Sequence, residues 1–250
     1  MRLPSTYKGI REIFKLVYTR EHARGSWLMR EKVVVAWSGG KDSALALHEI
    51  LRSGSYEVIA LLTTVAKDHD RVGIHDVRRV LLEQQAEALR IPLEELFVLN
   101  GASNTEYETV LLEALKRHRG NGVSSVVFGD LFLEDIRKYR EHLLAEAKMN
   151  GVFPLWKKDT ASLARTFVSL GFKAVVTSVD SRVLEKDFAG REYDEKFLLD
   201  LPVNVDPCGE NGEFHTFVYD GPIFYKQVMF KKGELALRDN RFYTCDLLPA

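Results

Sequence analysis

The stretch VVVAWSGGKDSALALHEIL, residues 33–51, decides the fold of this chain. Its first half is a run of β-branched apolar residues, which predicts a buried strand, and its second half has the apolar spacing of a helix. Between the two, SGGKDS contains Gly39 and Gly40, and glycine allows both a tight turn and a close approach of the backbone to a ligand. A strand, such a turn and a helix together predict an anion site at the helix N-terminus.

The polar residues of this turn suit a phosphate group. The amides of Lys41, Asp42 and Ser43 would lie in the first helical turn, where the helix dipole favours an anion. The hydroxyls of Ser38 and Ser43 and the ammonium of Lys41 would add donors and charge. Asp42 would repel phosphate, so we expect it to cap the helix or to help hold a metal. The alternative is a plain glycine turn with a serine cap, but the flanking strand and helix favour phosphate binding.

Short apolar runs alternate with helical patterns along most of the chain. EVIALLTTV, EELFVL and VSSVVFG each predict a strand, and a segment with helical spacing follows each of them. Because these strands are almost continuously apolar, they suit a parallel sheet covered by helices on both faces. The sequence therefore predicts a doubly wound α/β fold with a smaller C-terminal α+β domain. Residues 201–222 are rich in Gly, Pro, Asp and Asn, which predicts loops and hairpin turns.

The composition limits the classes of function. Lys and Arg number 35 and Asp and Glu number 36, so the formal net charge of −1 argues against nucleic acid as a partner. Cys208 and Cys245 lack CxxC spacing, which argues against a zinc site and against a disulfide framework. The apolar stretches are shorter than the roughly 20 residues that span a bilayer. We therefore expect a cytoplasmic protein without a membrane partner.

SGGKDS after a first strand resembles the phosphate loop of the PP-loop ATP pyrophosphatases, which cleave ATP between its α and β phosphates. The later motifs GDLFLEDIRKYRE, FPLW and GENGEFHTFVYDGP resemble the diphthine–ammonia ligase family, and the match runs from about Lys32 to about Phe224. The resemblance implies ATP, Mg²⁺ and ammonium as inputs and the conversion of a carboxylate into an amide. The forms of the motifs are similar to the bacterial branch. The carboxylate itself, on a small molecule or a protein side chain, stays open.

The resemblance also implies how the chain is divided. We expect an N-terminal extension at 1–30, a PP-loop ATP-binding domain at 31–130, a substrate-binding domain at 131–230 and a C-terminal tail at 231–250. The extension has apolar residues at helical spacing among many basic ones. The oligomeric state stays open, and a homodimer is compatible with the sequence.

Further candidates for ATP and metal binding follow the predicted strands. In a PP-loop fold the end of the second strand borders the adenine, so Thr63 and Thr64 are candidates for ATP binding. His75 is another, because the family has a histidine at this place; a helix cap is the alternative. Asp130 closes the fourth strand at the functional edge of the sheet, where a carboxylate, with Asp42, can hold Mg²⁺ on the triphosphate.

The helix after Asp130 supplies candidates for substrate binding. Glu134 and Arg137 lie within helical reach of one another, and Arg137 or Arg140 would clamp an anionic group with two hydrogen bonds. The alternative is a surface helix with ion pairs, which is common and contributes little stability.

The loop CGENGEFHT, residues 208–216, is the densest polar stretch. We expect Glu210, Gly212 and Thr216 to contact the substrate, and Glu213 or His215 to accept a proton during catalysis. A plain hairpin turn is the alternative. With the two aspartates above, the catalytic candidates are Asp42, Asp130, Glu213 and His215.

The expected reaction has two steps. A substrate carboxylate attacks the α phosphorus of ATP and releases pyrophosphate, and ammonia then attacks the adenylate and releases AMP. Three alternatives stay open: a PP-loop enzyme that modifies tRNA, a sensor that binds ATP or AMP without turnover, and an amidohydrolase with Cys208 as nucleophile.

Overall fold

The computed structural model describes residues 30–67, 71–72, 77–99 and 103–250. Almost all of the predicted N-terminal extension, and His75, lie outside these residues. In the described part of the chain, the first sheet has seven strands. They are β1 Glu31–Ala36, β2 Tyr56–Ala66, β3 Arg71–Val72, β4 Val77–Arg78, β5 Leu93–Val98, β6 Ser125–Val127 and β7 Asn150–Val152.

Five of these strands are parallel, in the order β5, β2, β1, β6, β7. The helices that connect them are α1 Lys41–Ser53, α2 Arg79–Leu89, α3 Asn104–Gly120 and α4 Glu134–Glu146. Side chains of β1 alternate between the two faces: Val33 and Val35 pack in the cluster that contains the buried side of α1 and α2, and Val34 packs in the cluster with α3 and α4. All three valines are fully buried. The predicted parallel sheet with helices on both faces is therefore confirmed.

The second sheet is antiparallel and has the strand order β10, β11, β8, β9. Its strands are β8 Lys173–Asp180, β9 Phe214–Asp220, β10 Phe230–Arg238 and β11 Phe242–Pro249, and its helices are α5 Thr160–Ser169 and α6 Glu195–Asp200. The prediction of loops and turns throughout residues 201–222 is wrong for the second half of that stretch. There FHTFVYD forms β9, in which Phe214, Phe217 and Val218 are buried.

The two sheets share a hydrophobic core. One cluster of buried side chains extends from Val33 and Leu47 beside the first sheet to Phe217 and Leu247 in the second. An ion-pair group also connects the sheets, since Asp246 of β11 accepts hydrogen bonds from two arginines at the start of β3 and the end of β4. The domain boundary at residue 130 stays a prediction. In the structure β7 adds to the first sheet, while β10 and β11, at 230–249, add to the second.

Within the described residues, no helix has the length and the apolar character that crossing a membrane requires.

Candidate functional site

A cavity of about 550 Å³ opens at the carboxyl edge of the parallel strands. Three segments that are distant in sequence form its polar end: the turn after β1, the segment from the end of β6 into α4, and the loop that leads into β9. Ligands of open α/β sheets bind at this edge. The volume lies within the usual range of small-molecule sites, roughly 300–1,000 Å³.

Most of the predicted site residues line this cavity. They are Ser38, Lys41, Asp42, Ser43, Thr63, Thr64, Asp130, Glu210, Gly212, His215 and Thr216. Five other candidates are not among the lining residues, namely Gly39, Gly40, Glu134, Arg137 and Glu213. The two glycines still shape the turn, as described next, and the functional roles of all these residues stay predictions.

The turn SGGKDS leads directly into α1. Gly40 is the N-cap residue and offers no side-chain acceptor, so the expectation that Asp42 caps the helix is wrong. The acceptor comes from the second sheet, because the Lys41 amide donates to Thr216 Oγ1 at 3.1 Å. The amides of Asp42 and Ser43 follow in the first turn, where a helix provides no internal acceptors. They remain the donors best suited to an anion.

Two glycines allow close packing around this turn. Gly39 has a positive φ of 77°, and a Cβ there would lie 2.7 Å from Gln85 Oε1. A Cβ on Gly129, after β6, would lie 2.8–2.9 Å from backbone atoms of Asp42 and Ser43. Only glycine fits both positions without a shift of the turn.

Lys41 is buried, with 5% of its surface exposed. Its Nζ lies 2.9 Å from Asp42 Oδ2 and 5.4 Å from the centroid of the Phe214 ring. Burial lowers the pKa of Lys41, but the negative charge of Asp42 and the hydrogen bond to it act against burial, and the net pKa is raised. The lysine is a fixed positive charge inside the cavity wall.

Asp130 and Arg140 form an ion pair at the next part of the wall, with Arg140 Nε 2.7 Å from Asp130 Oδ2. Burial raises the pKa of Asp130, and Arg140 only partly offsets this effect. The Arg140 guanidinium also lies 4.4 Å from the centroid of the Phe128 ring, a cation–π contact that favours its position in the cavity wall. Arg140 therefore has the position that the sequence suggested for either Arg137 or Arg140.

Arg137, in contrast, is not among the residues that line the cavity. Its guanidinium lies over the rings of Phe153 and Trp156, at 4.5 and 4.6 Å, and its Nε pairs with Glu141 at 2.8 Å. This arrangement matches the alternative of a surface helix with ion pairs. Glu134 is exposed and pairs with Lys157 at 3.5 Å.

Glu213 stabilises the loop before β9. Its carboxylate accepts hydrogen bonds from the amides of Asp206 and Asn211 and from the Asn211 side chain, at 2.8–3.0 Å. Burial raises the pKa of Glu213, yet these hydrogen bonds lower it further than burial raises it. Glu213 therefore holds the loop in shape.

Glu210 and His215 point into the same cavity with opposite titration behaviour. Burial and the charges of Asp42, Asp206 and Asp130 raise the pKa of Glu210 to about 8, against the effect of Lys41. Burial and, second, the charge of Lys41 lower the pKa of His215 to about 4. At neutral pH the histidine is uncharged.

Cys208 also lines the cavity, and its Sγ donates to the carbonyl of Thr160 at 3.3 Å. Burial raises its pKa far above the ordinary value, and the nearby positive charge of Lys41 only partly counters this. A thiol in this state is a poor nucleophile, which argues against the amidohydrolase alternative.

The other end of the cavity is apolar. Its lining includes side chains of β2, β5, β6, α3 and α4: Leu62, Leu96, Tyr107, Leu111, Leu115, Val126, Phe128, Leu133, Ile136, Tyr139, Leu143 and Leu144. The contribution of α3 to the cavity was not predicted from the sequence. The helical apolar spacing of Tyr107, Leu111 and Leu115 was a signal, but it did not indicate which of them would face a cavity instead of the core.

The described residues contain no group of three or more His, Cys, Asp or Glu side chains placed to hold a metal ion. The cavity does contain the carboxyls of Asp42 and Asp130, and the charge of Asp42 contributes to the raised pKa of Asp130. Two such carboxyls suit a hard cation that takes its other ligands from phosphate and water, as Mg²⁺ does.

Comparison with known proteins places this geometry in a family. The model of the diphthamide synthase N-terminal domain matches residues 31–151, and that of the C-terminal domain matches residues 159–245. The diphthine–ammonia ligase of Danio rerio is 26% identical over 84% of this chain and 90% of its own length. The diphthine–ammonia ligase of Homo sapiens is 24% identical over 82% of this chain and 85% of its own length. That of Schizosaccharomyces pombe is 27% identical over 82% of this chain and 37% of its own.

A solved structure, the U34-tRNA thiolase NcsA from Methanococcus maripaludis, is 17% identical and covers 64% of this chain and 65% of its own, with a TM-score of 0.35. The matched residues include every residue that lines the cavity and most of both sheets. The chain therefore belongs to the diphthine–ammonia ligase family, a family of ATP-dependent ligases that form carbon–nitrogen bonds.

Proposed function

We propose that this protein adenylates a carboxylate with ATP, releases pyrophosphate, and then forms an amide from the adenylate and ammonia. The observation that carries the proposal is the shared cavity, in which the SGGKDS turn, the Asp130–Arg140 pair and the 208–216 loop meet. An anion site, a fixed cation and a polar loop at one sheet edge are what a reaction between ATP and an anionic substrate requires.

The two ends of the cavity suit the two ends of ATP. The apolar end beside Thr63 and Thr64 suits adenine, a flat and largely apolar base. The phosphates would lie on the amides of Asp42 and Ser43 with the hydroxyl of Ser38 beside them. These donors are held in place before the reaction, so they stabilise the charge that develops on the departing pyrophosphate.

Mg²⁺ would be held by Asp42 and Asp130. Their oxygens fit its preference for carboxylate ligands, and the carboxyl groups around the cavity raise the pKa of Glu210. When bound, the ion would offset part of the negative charge of the phosphates and of these carboxyls.

The acid substrate and ammonia would meet on the side of the 208–216 loop. Arg140 offers a guanidinium to an anionic substrate, and Lys41 adds positive charge from the wall. Attack of the carboxylate oxygen on the α phosphorus forms the acyl-phosphate bond and breaks the bond to pyrophosphate. Attack of ammonia then forms the C–N bond and expels AMP. The proton that ammonia loses would pass to Glu210 when that residue is ionised, or to His215.

The relatives are named for diphthine, which makes a protein-borne acid one candidate substrate for this chain; a small molecule is the other. Ammonium is the proposed nitrogen donor. The family match favours neither the modification of tRNA nor the passive sensing of ATP.

The test is phosphorus NMR of the purified protein with ATP, Mg²⁺ and ammonium, with and without size-fractionated cell extract. AMP and pyrophosphate that appear only with one fraction would support the proposal, and the size of the active component would separate a metabolite from a protein substrate. ADP and phosphate instead would contradict it. Asp42→Asn and Asp130→Asn should each raise the Mg²⁺ concentration needed for half-maximal turnover, about tenfold.

A further inference from the structure

The side chain of Gln85, in α2, is completely buried beside the phosphate turn. Its Oε1 accepts from the indole Nε1 of Trp37 at 2.9 Å. Its Nε2 donates to the carbonyls of Gly39 at 3.0 Å and of Val218 at 2.6 Å. Three parts of the chain thus meet on one amide group: the end of β1, the turn itself and strand β9.

The partners of Gln85 fix the orientation of its amide. One neighbour is an N–H donor, and the other two are carbonyl acceptors, so only one of the two ways of placing the oxygen and the nitrogen satisfies all of them. Each of these groups is buried and would lose a hydrogen bond if the amide rotated. The side chain is therefore a rigid support and not an adaptable contact.

The carbonyl of Gly39 is held by two donors. Besides Gln85 Nε2, the amide of Val218 donates to it at 2.9 Å. Neither Gln85 nor Val218 lines the cavity, so this carbonyl points away from it. Because a peptide unit is planar and trans, the Gly40 N–H of the same unit points the opposite way. The Gly40 amide donates to Ser38 Oγ at 3.3 Å, and Ser38 does line the cavity.

The residues that flank this peptide do not by themselves prevent it from flipping. A flip would change ψ of Gly39 and φ of Gly40, which is −89°, and glycine accepts both signs of φ at similar cost. A flipped peptide would turn its carbonyl oxygen toward Ser38 Oγ and lose the N–H that now donates to this hydroxyl. The hydrogen bonds on the Gly39 carbonyl remove that possibility.

We propose that Gln85 is a positioning residue of the ATP site: it holds the Gly39–Gly40 peptide in the orientation whose N–H donates to Ser38 Oγ, and so fixes this hydroxyl at the cavity wall where the phosphates would lie. The proposal rests on the proposed function, since it concerns the same phosphate turn. The proposal predicts that Gln85 affects the binding of the triphosphate group but not the binding of adenine, because Gln85 does not line the adenine end of the cavity.

The experiment compares the binding of ATP and of adenosine, by titration calorimetry without ammonium or acid substrate. Gln85→Met keeps the length of the side chain and removes its hydrogen bonds. We expect it to weaken ATP binding at least tenfold and to leave adenosine binding within twofold. A merely structural role would weaken both ligands in parallel, and that result, or unchanged ATP binding, would overturn the proposal. If the wild-type protein instead binds ATP no more tightly than adenosine, that result would contradict the proposed function.

Two further variants complete the test. Trp37→Phe keeps Gln85 but removes the donor that orients it, so it should weaken ATP binding by a smaller factor in the same ATP-specific way. It also tests the proposal if Gln85→Met does not fold. Ser125→Ala is the matched control, because it removes the hydrogen bond of another buried side chain, Ser125 on β6, to Glu31 and lies away from the turn. It should leave the binding of both ligands unchanged.

Discussion

The amide of Lys41 and the hydroxyl of Thr216 are hydrogen-bonded at 3.1 Å although 175 positions separate them in the chain. The acceptor that a helix N-terminus ordinarily receives from its own N-cap side chain thus comes from the second sheet. Two positions along β9, Val218 accepts from Gln85 and donates to Gly39. The phosphate turn is therefore supported by β9 as much as by its own flanking residues.

Replacement of Thr216 tests this support. Thr216→Val keeps the shape of the side chain and leaves the buried Lys41 amide without its acceptor, so we expect a loss of about 1–3 kcal/mol in the free energy of unfolding. Thr216→Ser retains the hydroxyl and should lose less than half as much. Urea denaturation measures both. Equal losses in the two variants would show that the methyl group matters and the hydrogen bond does not.

Gly129→Ala tests the close approach of β6 to the phosphate turn. The added Cβ would meet backbone atoms of Asp42 and Ser43, which cannot rotate away, so α1 or the β6 end must shift. We expect ATP binding to weaken at least tenfold and the protein to lose about 1–3 kcal/mol of stability. Gly120→Ala is the control, because its Cβ would meet no atom within 4 Å at the end of α3. It should be neutral, or stabilising by up to about 1 kcal/mol.

Replacing Arg140 and Arg137 in turn compares a residue that lines the cavity with one on the same helix that does not. Arg140→Met leaves the largely buried Asp130 without its ion-pair partner, so turnover should fall at least tenfold and stability by roughly 1–3 kcal/mol. Arg137→Met removes an exposed pair with Glu141 and should change turnover less than twofold. The measurements are kcat and KM for each substrate. A larger fall in turnover in Arg137→Met than in Arg140→Met would indicate that Arg137, and not Arg140, binds the anionic substrate.

The pH dependence of stability tests the environment of His215. Its pKa in the folded protein is about 4 and its ordinary value is 6.5, so below pH 6.5 the unfolded chain binds a proton that the folded chain does not. This contribution to stability is present above pH 6.5 and is lost as the pH falls toward 4. Glu210 has the opposite effect on stability. Its pKa is raised from 4.5 to about 8, so the folded chain binds a proton that the unfolded chain does not, and stability rises as the pH falls through this range.

Comparison with a variant isolates the histidine. Urea denaturation of the wild type and of His215→Gln, without metal, should show the wild type losing more stability between pH 6.5 and 4 than the variant. Parallel curves for the two proteins would contradict the assignment of a lowered pKa to His215.

The fold was predictable wherever one local pattern determined one element. The apolar run at 33–36 and EVIALLTTV at 57–65 fall within β1 and β2, and the helical pattern of DSALALHEIL at 42–51 falls within α1. Strand β9 was missed because its alternating pattern follows directly on glycines and prolines that indicate turns. Its strand structure depends on pairing with β8, which lies about 40 positions earlier, and a local pattern does not contain that information.

The site was predictable to the extent that it follows strand ends. Asp42, Thr63 and Asp130 each lie at the carboxyl end of a parallel strand or just after one, and the topology brings them together. The choice between Arg137 and Arg140 depended on which side of α4 faces the sheet, and the positions of Phe128 and Phe153 decide it. The role of Gln85 could not be predicted, because its partners are backbone carbonyls and a side chain from elsewhere in the chain.

The hydrogen bonds from β9 to the phosphate turn have a consequence for biosynthesis. The turn emerges from the ribosome at residues 38–43, but its partners Thr216 and Val218 are made about 175 residues later. A nascent or prematurely terminated chain that contains the whole parallel sheet still lacks the acceptor for the Lys41 amide and one of the two donors to the Gly39 carbonyl. An unfinished chain therefore does not have the completed phosphate turn, whose full set of hydrogen bonds forms only once the last sheet has been synthesised and has docked.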